Sequence, residues 1–401
     1  MIDKSPLPDF TKKNLRVDPL ERSETIPSSW YTHPSFFTVD QKDILATTWQ
    51  CIGHCSRLEH PGDWFVATVA GNPVIVIRGK DNISRAFFNV CRHRGGPLAI
   101  EESGNCNALQ CKYHGWTYTL EGMLRGVPQF DRVELFDRKD FGLIPVNMET
   151  WQGLIFVKLH GSNHATDTPL RSIVNGIAER IAPIRMDGKK FFRRINYEVN
   201  CNWKVYVDNY LEGYHLPYVH PELCNLLDFQ QYMTETFDYY SLQYSPFTGK
   251  DNLYGANNGA AFYYFIFPNM MLNILPGRLQ TNLILPIAHN KTQVIFDYYY
   301  DDITSSEALK MIEDDIQYSD RVQKEDTEIC ERVQQGLESI AYDKGRFSVE
   351  MEKGVYHFQS LLKKAYQNLQ REDKKNATKT RRHKGARRNI SAVARLGRRN
   401  R

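Results

Sequence analysis

None of the 25 glycines in this chain stands two residues from another, so the sequence contains no G-x-G and no dinucleotide-binding fingerprint. None of its 12 histidines is followed by glutamate, which removes the H-E-x-x-H arrangement of zinc hydrolases. Long apolar runs are missing too: AAFYYFIFPNMMLNILP is broken by Pro268 and Asn269, short of what a bilayer span needs. The amino-terminal MIDKSPLPDFTKK lacks the apolar core of a signal peptide, and the expected location is cytoplasmic. Cysteine is sparse for 401 residues. Eight at irregular spacing argue against a disulfide framework and for reduced thiols or metal ligands.

One acid-free region is also strongly basic. Residues 374–401 hold twelve Lys/Arg and no Asp or Glu; without them the formal net charge of +4 becomes 39 basic against 47 acidic residues. The body is therefore acidic, and the basic character belongs to a tail that reads as a disordered, solvated appendage. Nucleic acid is not an expected partner of it, and neither is a membrane. What the chain does have is a globular composition, 41% hydrophobic with 22 Tyr and 21 Phe, long enough for one large or two ordinary domains.

Short β-branched and aromatic runs between turn residues fill Trp49 to Lys158, as in DWFVATVAGNPVIVIRGKDNISRAFFNV. HGSNHATDTP reads as a linker, and LRSIVNGIAERIAPI has helical spacing. A helical stretch follows around 203–220, then aromatic strands, then a long helical run over TSSEALKMIEDDIQYSDRVQKEDTEICERVQQGL. Thr304 with Glu307 predicts a capping-box start for that run. The expected organisation is α+β: a segment 1–45 packing on the second domain, an all-β domain over 46–160 inserted into a larger domain over 165–373, and the tail.

Two stretches carry chemistry. In NVCRHRGGPLAIEESGNCNALQCKYHG, Cys91, His93, Cys111 and His114 form C-x-H-x17-C-x2-H. Finger-type zinc sites order their ligands Cys, Cys, His, His, whereas here each loop supplies one thiolate and one imidazole. That alternation suits a [2Fe–2S] cluster with both Cys on one iron and both His on the other. Gly95, Gly96 and Pro97 let the backbone turn closely past the sulfurs. By contrast Cys51, His54 and Cys55 lack a second ligand pair and read as ordinary core and surface residues, and Cys106 reads as a bystander.

In NWKVYVDNYLEGYHLPYVHPEL, Glu212 and His215 form the one E-x-x-H pair of the chain, which argues against a di-iron carboxylate bundle. His215 and His220 are five apart, and a regular helix would point them about 140° from each other. Pro217 is the expected disturbance that brings both to one point. Two His and one carboxylate make the facial triad of mononuclear non-haem iron.

Together, C-x-H-x17-C-x2-H and N-x2-E-x2-H-x4-H resemble the catalytic alpha subunit of the Rieske non-haem iron oxygenases, the ring-hydroxylating oxygenase family, from about Thr47 to Leu362. The resemblance implies a Rieske β-domain in a helix-grip catalytic domain, with His215, His220 and a carboxylate of EDTEICERVQ as iron ligands. Asp326 is the expected third ligand and Glu325 its neighbouring rival. Asn209 stands near the iron. Glu212 takes the position that bridges His114 of an adjacent subunit to His215, with Asp208 a second candidate. A homotrimer, a separate NAD(P)H-dependent reductase or ferredoxin and O₂ as co-substrate are implied. The implied reaction hydroxylates a small organic substrate, with an aromatic compound expected first and a quaternary ammonium compound of the choline, betaine or carnitine type second. An electron carrier without oxygenase activity is the alternative from another class.

Overall fold

In the computed structural model, the described residues are 7–159, 168–222, 232–247 and 260–370; the basic tail and most of the expected linker lie outside them. Alternating β-branched residues build the first unit. Asp63–Val69 and Asn72–Arg78 pair as a hairpin across Ala70 and Gly71, both at positive φ (47° and 73°), the turn sense that matches strand twist. These strands belong to a seven-stranded antiparallel sheet ordered Gln50–His54, Leu154–Lys158, Pro145–Trp151, Ser84–Phe88, Asn72–Arg78, Asp63–Val69, Ser103–Asn105. A separate three-stranded sheet, Leu109–Gln110, Thr117–Tyr118 and Leu124–Gly126, holds the second half of the cysteine–histidine motif.

The second unit is a seven-stranded antiparallel sheet ordered Lys190–Val199, Lys291–Tyr300, Arg278–Ala288, Met270–Leu275, Ala260–Ile266, Tyr240–Pro246, Met233–Thr236. Its inner strands are covered on both faces and are buried along most of their length. In Met270–Leu275 all six residues are buried. Met271 faces a core shared with Trp203, Val207, Ile312 and Ile316 of the covering helices, while Met270, Leu272 and Ile274 face Leu170, Ile177, Leu154 and Phe156. Leu15, Ile26, Trp30, Phe36 and Ile44 lie in the helix-side core. The architecture is α+β, an all-β unit set into a helix-and-sheet unit, as expected. Among the described residues no helix is long and apolar enough to cross a membrane.

Three local expectations are corrected. The long helix is Ser306–Leu337, and its cap is Ser305, whose hydroxyl accepts from Ala308 N at 3.2 Å; Thr304 instead turns to Asp302, donating its hydroxyl at 2.8 Å. Residues 170–181 form two short helices, Leu170–Ile173 and Ile177–Ile181, because Gly176 sits at φ 85° between them. The stretch 203–220 is likewise two helices, Trp203–Tyr210 and Leu216–Val219, separated by a turn at Leu211–His215. Pro217 does not make that break; it sits in the first turn of the second helix, where no donor is lost.

Candidate metal centres and the cavity beside one of them

The two cysteine–histidine loops are built alike. Cys91 N donates to Gly96 O (2.8 Å) and Gly95 N to Cys91 O (3.0 Å); Cys111 N donates to Trp116 O (2.9 Å) and Gly115 N to Cys111 O (3.0 Å). Gly95 and Gly115 occupy φ 74° and 72° at matching positions. A Cβ on Gly96 would lie 3.0 Å from Cys111 Sγ, so a side chain there would crowd the second sulfur. Both cysteines are buried, and burial pushes the Cys111 thiol up in pKa, a penalty that bound iron offsets by holding the thiolate. The imidazoles of His93 and His114 meet edge-on at 4.6 Å. His93 stacks on Trp116 at 4.9 Å and 10°, and its buried Nδ1 has no hydrogen-bond partner. An orphaned ring nitrogen beside two buried cysteines outside any disulfide fits a [2Fe–2S] cluster held through nitrogen and sulfur. His114 and Tyr113 are exposed at this tip. The cluster CIGHC gathers into no metal-binding group among the described residues.

The second centre assembles around the break in the 203–220 stretch. His215 and His220 flank the Leu216–Val219 helix as its two caps, which turns their rings toward each other, 5.2 Å apart and 76° inclined. With Asp326 of the long helix they offer three ligand atoms within 4.8 Å of one another. Asp326 Oδ1 lies 3.0 Å from His220 Nε2 and 3.8 Å from His215 Nε2, and it accepts the Asn209 amide at 2.6 Å. Two imidazole nitrogens and a carboxylate oxygen converging in this way fit a mononuclear iron ion. The opposite nitrogens are held as well. Glu212 Oε1 is 2.7 Å from His215 Nδ1, while its Oε2 accepts from the backbone amides of Tyr214 and His215. Glu325 Oε2 is 2.6 Å from His220 Nδ1. Burial works against charge on His220, but Asp326 and Glu325 outweigh it and raise its pKa.

Asp208 is elsewhere. It is buried against Tyr31 and Gln359, whose hydroxyl and amide donate to its Oδ2 at 2.6 and 3.1 Å, and desolvation raises its pKa to about 7.

Beside the Asp326 group lies a cavity of about 130 Å³. Tyr206, Tyr210, Tyr232, Tyr263, Tyr318 and Phe296 supply aromatic walls, and Gln243, Asn273, Gln280 and Asn282 supply carboxamides. Those amides are tied down: Tyr210 Oη donates to Asn273 Oδ1 at 2.7 Å and Gln243 Nε2 to the Tyr210 carbonyl at 2.6 Å. Arg278 at the wall is ion-paired with buried Asp315 at 2.9 Å. Burial keeps the phenols neutral, raising Tyr263 to about 12. Sequence reasoning missed this lining, since its residues come from separate strands and helices with no linear signal. It also missed Trp116 and Tyr118, although HGWTY runs straight on from the ligand loop.

Residues 48–137 match the Rieske [2Fe-2S] domain, and residues 186–368 match the ring hydroxylating alpha subunit (catalytic domain). The chain is similar to choline monooxygenase, chloroplastic, of Arabidopsis thaliana, 35% identical over 369 residues, covering 88% of this chain and 86% of the relative. It is also similar to the carnitine monooxygenase oxygenase subunit of Escherichia coli (strain K12), 29% identical over 375 residues, covering 90% and 99%. A solved quaternary ammonium Rieske monooxygenase, described for carnitine oxidation and inter-subunit electron transfer, matches with a TM-score of 0.80 at 29% identity, over 91% of this chain and 100% of that one.

Proposed function

The chain belongs to the Rieske non-haem iron oxygenases as a catalytic alpha subunit, and on that footing we propose that it monooxygenates a small quaternary ammonium compound, as a homotrimer fed by a separate NAD(P)H-dependent reductase. The observation that carries the substrate class is the agreement between two things. The relatives named above are choline and carnitine monooxygenases, and the cavity beside the iron group is lined by five tyrosines and Phe296. A trimethylammonium group is held by ring faces, each contact contributing up to about 2 kcal/mol when desolvated. The aromatic substrate expected first from the sequence gives way to this second expectation, because none of these relatives is named for an aromatic substrate.

Cys91, His93, Cys111 and His114 hold the [2Fe–2S] cluster; His215, His220 and Asp326 hold the iron. Together these centres supply stored electrons and O₂ activation. The protein does the rest. Asn209 fixes the rotamer of Asp326 by donating to Oδ1. Glu212 fixes the ring of His215 through Nδ1, and in the assembled ring it is the bridge to His114 of a neighbouring subunit. The aromatic side chains of the cavity exclude water from the reacting carbon. The domain limits that follow are 46–160 for the cluster domain and 165–373 for the catalytic one.

The test is substrate-dependent O₂ uptake by the iron-loaded protein with a matched reductase, over choline, glycine betaine, carnitine and a set of aromatic acids and hydrocarbons. Product formation matched to O₂ uptake with one of the ammonium compounds is expected. Turnover of aromatics alone contradicts the reading.

A further inference from the structure

Both histidines of the iron group have a carboxylate on the nitrogen that faces away from Asp326, but the two carboxylates are placed differently. Glu212 accepts two backbone amides in addition to His215 Nδ1. Glu325 reaches His220 Nδ1 at 2.6 Å from a side chain that is 46% exposed, while the His220 side chain is only 2% exposed. Glu325 and Asp326 are consecutive on the long helix, about 100° apart around its axis. Consecutive residues so arranged cannot converge on one point, yet both reach the same imidazole. Asp326 takes the Nε2 edge at 3.0 Å and Glu325 the Nδ1 edge at 2.6 Å, so the ring is gripped from both sides by one turn of helix.

We infer that Glu325 is a positioning residue for the iron, acting through His220 without entering the coordination shell. Its carboxylate accepts the Nδ1 proton and fixes the tautomer that leaves Nε2 with a free lone pair. It also holds the ring plane against Asp326 and makes the imidazole a stronger donor to iron. This rests on the reading of Asp326 as the third ligand. Glu325 is thereby the counterpart of Glu212, with one difference of purpose: Glu212 is committed to the neighbouring subunit, whereas Glu325 serves the iron alone.

The experiment measures Fe(II) affinity of the full-length, cluster-containing protein by competition with a chromogenic chelator, for wild type and for Glu325→Ala, Glu325→Gln, Asp326→Ala and Glu328→Gln. Glu328 is the control: exposed, on the same helix, and paired with Arg332. Glu325→Ala is expected to weaken Fe(II) binding by about 10- to 100-fold, with the cluster EPR signal and thermal midpoint unchanged. Glu325→Gln, which keeps an acceptor oxygen but no charge, should fall between Glu325→Ala and wild type, and Glu328→Gln should match wild type. Asp326→Ala should lose more affinity than Glu325→Ala. Wild-type affinity in Glu325→Ala overturns the inference while leaving the ligand assignment intact. Loss of iron in Glu325→Ala with retention in Asp326→Ala makes Glu325 the ligand and overturns both. A fall in thermal midpoint that tracks the loss of affinity equally in Glu325→Gln and Glu325→Ala reduces Glu325 to a packing role and overturns the inference as well.

Discussion

At the scale of single residues, two side chains outside the ligand set lead to measurable consequences. Tyr118 Oη lies 3.3 Å from Cys91 Sγ and accepts the Arg92 amide at 3.0 Å. That amide leaves the hydroxyl proton free to point at the sulfur, where it would stabilise the extra negative charge of a reduced cluster held by Cys91. Tyr118→Phe should therefore lower the reduction potential by several tens of millivolts in a spectroelectrochemical titration, with the cluster retained. Asp208 concerns stability. Burial raises its carboxyl to about 7, from a usual value of 3.8, and its Oδ1 is buried without a partner. Between these values the folded state keeps a proton that the unfolded chain has released. Stability therefore falls as pH rises, by up to about 1.4 kcal/mol per pH unit, and the loss is complete above the folded pKa. Asp208→Asn should flatten the decline in thermal midpoint between about pH 4 and pH 7; an unchanged slope would show that Asp208 is ionised in the folded protein throughout.

Among secondary-structure elements, the decisive one is the turn that splits 203–220, and its support comes from far along the chain. A Cβ on Gly354, at the start of the helical run 353–370, would come 2.2 Å from the Leu211 carbonyl. The close approach fixes the backbone one residue before Glu212. Gly354→Ala should displace that turn, destabilise the fold by about 1–3 kcal/mol and lower iron retention while the cluster absorbance survives; scanning calorimetry and iron analysis on the same sample check both. This element also shows what was legible in the sequence. Cys91, His93, Cys111 and His114 stand in two local loops, and spacing alone suggests their chemistry. His215 and His220 were visible as a pair, but the break that unites them was assigned to Pro217 when it lies at Leu211–His215. The local pattern marks a helix breaker without saying where the chain turns. Asp326 and Glu325 are more than a hundred residues from His220, and their separate roles depend on how one helix is rotated against a distant turn, which no local periodicity encodes. The fold class was readable because strand and helix patterns are local; the cavity was not, because its walls meet only in three dimensions.

For the whole molecule, the account requires electrons to cross between chains. Within one chain His114 is an exposed tip and Glu212 a separate acceptor. In a head-to-tail ring each cluster would serve the next chain's iron. Mixing Cys91→Ser chains with His215→Ala chains should then restore about a quarter of wild-type turnover, since random assembly places an intact cluster beside an intact iron site at that frequency. Each variant alone should be inactive, and transfer confined within a chain would leave the mixture inactive too. Both centres are read at once from iron, zinc and acid-labile sulfide per chain on anaerobically purified protein, with EPR after reduction. About three irons and two sulfides per chain with a Rieske-type signal are expected, falling to about two irons in Asp326→Ala. Zinc without sulfide would contradict that expectation.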